Sequence, residues 1–143
     1  MFNPSRDESR DFLFVAWRKY SANAPLTALE RIAVGVIAEH PEYHPLLSSR
    51  DKTIDRDYAP ETGETNPFLH ISMHMAIREQ IAIDQPRGVR DAHVKLSQKH
   101  DSVMHAEHDM MECLAEMIWQ AQRHKTTPDA EIYLTCLEKK LGA

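Results

Sequence analysis

Nine histidines occur in 143 residues, and several stand at spacings that chemistry can use. His70 and His74 are four residues apart, as are His108 and Glu112. On an α-helix a four-residue step returns a side chain to within about 40° of its starting direction, one turn along. Two imidazoles so placed, or an imidazole and a carboxylate, can share one metal ion. Both pairs fall in apolar stripes: Met73, Ile77 and Ile81 flank the first, and Met104, Met111, Ala115 and Ile118 the second. A carboxylate at the edge of such a stripe needs a cation or a donor, because burying it alone is costly. His40 continues the line of Leu29, Ala33 and Val36, and His44 follows beyond Pro41.

These positions define the expected site. His40, His70, His74, His108 and Glu112 are expected to hold a transition metal ion (Fe, Mn, Zn or Ni), with His44, Glu79 and His105 behind the ligands. Four imidazoles would close a zinc site. Three, with Glu112 and a water, would leave a position open for hydrolysis or oxygen chemistry. Met73, Met75, Met104, Met110 and Met111 read as flexible core filler rather than a copper site. His93, His100 and His124 lie on charged stretches and read as surface residues.

The elements that must position these groups are helices. Ser5-Arg6-Asp7-Glu8 and Thr27-Ala28-Leu29-Glu30 both have capping-box spacing. The first introduces a helix to about Tyr20, with Phe12, Leu13, Ala16, Trp17 and Tyr20 available to a core. The second introduces a helix that ends near His40-Pro41. Asn66-Pro67 opens a helix to Ile83 or Asp84, a shorter one follows Pro86, and a long one runs from near Asp101 to His124. Thr127-Pro128 opens the last. The expectation is a single all-α domain over residues 1–143, a bundle of about six helices. If neighbouring helices alternate in direction, His40, His70, His74, His105 and His108 fall at one end of the bundle. From Leu46 to Thr65 the chain reads as one long structureless loop that crosses that end, anchored through Tyr58.

Composition bounds the rest. A formal net charge of −5 argues against a protein built to coat nucleic acid or an anionic membrane, and makes a nucleic-acid accessory role the weakest expectation. No run approaches the ~20 apolar residues that a bilayer requires. Two cysteines are too few for a disulfide framework and suit a reducing cytosol, so a cytoplasmic location is expected. Cys113 points away from the Met104 line, so neither a cysteine ligand nor a cysteine nucleophile is expected.

Longer motifs carry a resemblance. Met1-Phe2-Asn3-Pro4-Ser5-Arg6, Glu39-His40-Pro41-Glu42-Tyr43-His44, Asn66-Pro67-Phe68-Leu69-His70 with Ser72-Met73-His74, and Ala76-Ile77-Arg78-Glu79-Gln80 are similar to domain-of-unknown-function family 1841. So are Asp84-Gln85-Pro86, Glu107-His108 and Met111-Glu112-Cys113-Leu114-Ala115-Glu116-Met117 with Trp119-Gln120. The resemblance implies a small proteobacterial cytoplasmic protein and brings no activity with it. More loosely, the His and Glu inventory is similar to hemerythrin-like and DinB-like helical metalloproteins, although the chain order differs from the former and no His-x-x-x-x-Asp completes that set. The contrasting expectation is an interaction or assembly protein whose histidines and glutamate form a buried hydrogen-bond network without metal. Its partner would be another protein or a second copy, met through Trp17, Phe2 or the Cys136 helix. In the metal-binding case the partners are the ion and a small molecule.

Overall fold

Thr27 shows how a helix here begins. Its hydroxyl accepts the Glu30 N–H at 3.1 Å, and the Glu30 carboxylate accepts the Thr27 N–H at 2.8 Å. This is the reciprocal cap that the Thr-x-x-Glu spacing predicts. The computed structural model describes residues 4–58 and 66–142. In order they form α1 (Pro4–Ser21), α2 (Ala28–Ala38), a 3-10 turn (Pro41–Tyr43), α3 (His44–Leu47), α4 (Arg50–Thr53), α5 (Pro67–Ile83), α6 (Val89–His100), α7 (Val103–His124) and α8 (Ala130–Lys140). There is no strand among the described residues, and the all-α expectation holds. The six expected helices are α1, α2 and α5 to α8; α3 and α4 are single turns that add to them. α1 begins at Pro4, so Ser5 lies inside the helix rather than at its cap. Asn66 does cap α5, its side chain accepting the Leu69 N–H at 3.1 Å. No helix among the described residues is long and apolar enough to cross a membrane.

Glu30 carries the first prediction. The Thr27 amide, then the Lys19 ammonium 3.0 Å away, hold its carboxyl below the usual range. A folded-state pKa below the unfolded one means stabilisation that is complete above the unfolded value of about 4.3 and lost as pH falls through the folded value. The thermal midpoint should therefore decline between about pH 5 and pH 2, and decline less steeply in Glu30→Gln. Parallel curves for the two proteins would remove Glu30 from the acid response.

The fold divides into two compact units, one ending at Met75 and the other beginning at Ala76, with α5 contributing residues to both. In the first, Leu13, Phe14 and Ala16 of α1 and Ala33, Val34, Val36 and Ile37 of α2 are buried with Leu47, Ile54, Phe68, Ile71 and Met75. Phe12 and Trp17 are only partly buried, and Tyr20 is exposed, because the buried face of α1 is centred on Leu13 and Phe14. The segment after Leu46 is not structureless as far as Tyr58. Leu47 and Ile54 enter the core from it. The buried Arg10 guanidinium donates to the Ile54 and Arg56 carbonyls, each at 2.8 Å, and lies 4.4 Å from the Phe68 ring. Tyr58 packs edge-on to Phe68 at 6.2 Å, as the anchoring expectation has it. Residues 59–65, the rest of the expected roof, lie outside the described residues, as does Phe2.

In the second unit α6, α7 and α8 pack pairwise around Leu96, Met110, Leu114, Tyr133 and Leu137. Gly88, at φ 103°, precedes α6 in a left-handed conformation that an L side chain would strain. Tyr133 is fully buried and donates its hydroxyl to Gln80 at 2.8 Å. Burial pushes its phenol well above the usual pKa. The cysteines depart from the reading given above. Cys113 on α7 and Cys136 on α8 form a disulfide, with their Cα atoms 5.5 Å apart. The α7–α8 hairpin brings two positions 23 residues apart side by side, which composition alone does not reveal.

Candidate metal centre

His40 stands where α2 runs out of helix. Pro41 opens the 3-10 turn, so the last carbonyls of α2 look for donors outside the helix. His40 Nδ1 lies 2.7 Å from the Val36 carbonyl, and His44 Nε2 lies 2.8 Å from the Ile37 carbonyl. A carbonyl only accepts, so each of these nitrogens carries the proton. For neutral His40 this leaves the lone pair on Nε2. His44 caps the helix and packs on Trp17 at 4.6 Å, so it steadies the turn that carries His40.

His70 and His74 come from one face of α5, as their spacing predicts. His40 and His74 are buried, and His70 is half-buried. His40 Nε2 and His70 Nε2 face each other at 3.1 Å. The three rings form a triangle with centroids 4.7 Å (His40–His70), 5.3 Å (His40–His74) and 5.8 Å (His70–His74) apart, mutually tilted by 68°, 80° and 53°. An ion bonded to three imidazoles at 2.0–2.1 Å in a tetrahedral arrangement holds neighbouring nitrogens about 3.3 Å apart and ring centres roughly 5 Å apart. The observed ring-centre distances bracket the second value, and the His40–His70 nitrogens at 3.1 Å lie close to the first. Tyr43 stacks on His40 at 5.4 Å with its ring almost parallel, closing one side. Burial raises the Tyr43 phenol above its ordinary pKa, which keeps it neutral beside the imidazoles.

The profile of the family described as Domain of unknown function (DUF1841) matches residues 5–139. The chain belongs to this family. No curated protein and no solved structure matches it.

The remaining expected positions in this DUF1841 member are spread along α5 and α7. His108 is half-buried on α7, and Glu79 is exposed on α5. His105 is exposed and stacks on His100. Glu112 is corrected: its side chain is 65% exposed, it pairs with Lys140, and it lines an open groove with Glu116, Glu131 and Cys136. The buried residues of α7 include Ala106, Glu107, Met110, Cys113, Leu114 and Ala121, a line that leaves Glu112 about 160° from Met110.

The buried carboxylate of this helix is therefore Glu107, which the sequence reading missed. It is 4% exposed and takes Arg78 Nε at 3.1 Å and His93 Nε2 at 3.0 Å. His93 is thus no plain surface residue, and neither is His100, whose ring nitrogen meets Asp109 at 2.7 Å. The available signal was that Glu107 lies three residues before Met110, on the line that the hairpin buries.

Proposed function

We propose that this protein binds a transition metal ion through the imidazoles of His40, His70 and His74. The observation that carries the reading is the triangle of three mutually tilted rings at metal-ligand spacing, two of them buried. Their all-nitrogen donor set suits zinc, iron, nickel or copper better than magnesium or calcium, which prefer oxygen. Three imidazoles also leave a coordination position for water, the arrangement from which a metal activates a nucleophile or meets a small molecule. The cytoplasmic location expected from the sequence stands as a separate proposal, because the Cys113–Cys136 bond withdraws the reduced-thiol argument for it.

Elemental analysis of untagged protein purified without chelator tests it. We expect close to one or more equivalents of a single transition metal per chain.

One observation favours a second reading, a polar network without metal. The 3.1 Å between His40 Nε2 and His70 Nε2 also fits an N–H···N hydrogen bond, and Glu107 with Arg78 and His93 is already such a network. Less than a tenth of an equivalent of every metal, with a thermal midpoint indifferent to added Fe, Mn, Zn and Ni, would establish that reading in place of the first.

A further inference from the structure

The corner between α6 and α7 gathers a second set of metal-ligating groups, distinct in sequence from the three histidines above. His100 is the last residue of α6. Asp101, at φ 51°, reverses the chain, and Ser102 caps α7 by accepting the His105 N–H at 3.0 Å. His105 and Asp109 then stand one turn apart on α7. The rings of His100 and His105 lie 3.8 Å apart and 5° from parallel, and the Asp109 carboxylate accepts His100 Nε2–H at 2.7 Å. One donor atom from each of the three residues lies within 4.8 Å of the others.

We propose that His100, His105 and Asp109 bind a divalent transition ion of the zinc, nickel or copper type at this corner. Two imidazoles and one carboxylate are a borderline donor set, which such ions favour over magnesium and calcium. The backbones that carry the donors are fixed: two sit on one helix, and the third is held by a two-residue turn with its own cap. For one ion to reach both His100 and Asp109 it must replace the proton between Nε2 and the carboxylate, with His100 in its Nδ1–H tautomer, so that their 2.7 Å separation opens to about 3.3 Å. Closing donor spacings of up to 4.8 Å to the roughly 3.3 Å of a tetrahedral ion requires up to about 1.5 Å of movement, and one of the two parallel rings must turn so that both lone pairs meet at the ion. His105 is exposed and has room to supply it. The helix ends do not decide the matter, because the negative C-terminal end of α6 and the positive N-terminal end of α7 oppose each other. The favourable charge comes from Asp109. Lys140 Nζ, 4.0 Å from its other oxygen, is the one neighbouring cation recorded there among the described residues, and it can swing to Glu112, with which it already pairs.

The test is a zinc titration of untagged, chelator-stripped full-length protein against a colorimetric zinc indicator. We expect two equivalents for wild type and one each for His105→Ala and Asp109→Asn, with affinity for the lost equivalent reduced at least tenfold. His105 is exposed, so its removal leaves the core intact. A His74→Ala chain should keep the corner equivalent and lose it when His105→Ala is added. A His105→Ala chain that takes up as much zinc as wild type, at the same affinity, overturns the proposal. If instead His74→Ala alone leaves uptake unchanged while His105→Ala lowers it, the three-histidine reading fails and this one stands.

Discussion

A His74→Ala chain should hold no transition metal at the three-histidine site and should melt roughly 10–28 °C below the metal-loaded wild type. Two effects add. His74 is fully buried, so truncation leaves a cavity that costs about 2–4 kcal/mol by analogy with other large-to-small core changes. Loss of the ion removes a further ~3 kcal/mol if the free metal stands about a hundredfold above its dissociation constant. For a chain of this length each kcal/mol shifts the midpoint by about 2–4 °C. The cavity alone would lower the midpoint in either reading, so the deciding comparison is with chelator. EDTA should lower the wild-type midpoint by more than it lowers that of the variant, which keeps only the ion at the α6–α7 corner. A wild type indifferent to EDTA would assign His74 to the core and nothing more.

Reduction of the Cys113–Cys136 bond should lower the midpoint by roughly 6–12 °C. The bond closes a loop across a sequence separation of 23, and in the chain-entropy account a loop of that length restricts the unfolded state by about 3 kcal/mol. It ties α7 to α8, so the loss should appear in the second unit, read as faster amide exchange at Met110, Leu114 and Leu137. Thermal melts with and without TCEP, and of Cys136→Ser, measure the effect. Two free thiols titrated in the native protein would show that the bond is absent in solution and would cancel the expectation. Alkylation of thiols at the moment of lysis bears on location as well, since a bonded pair in living cells fits an oxidising compartment and a reduced pair fits the cytosol.

Most local signals were legible, the Ser5-x-x-Glu8 box excepted, and long-range ones were not. The Thr27 box, the Asn66-Pro67 start and the His70/His74 pair depend on neighbours within four residues, and each appears as the spacing predicts. His40 at the end of α2 was legible because Pro41 stops the helix there. α7 defeated the same method. Its 22 residues carry apolar side chains on two lines, one through Met104, Met111 and Ala115 and another through Met110, Leu114 and Ala121. Periodicity could not choose between them, so Glu112 was preferred to Glu107. Arg10 was invisible because its acceptors are carbonyls 44 and 46 residues away. The single turns α3 and α4 are too short to show any period at all.

The Val36 carbonyl and the Tyr43 ring have a consequence for what His40 must give up when it takes a ligand. One nitrogen of the imidazole is already tied to the backbone and one face is already covered. Its rotation about both side-chain bonds is therefore stopped before anything binds. An exposed histidine surrenders that rotational freedom at the moment of capture, at a cost of order 1 kcal/mol. Here the folding of the α2 terminus has already ordered the ring, so more of each metal–nitrogen bond is left to appear as affinity.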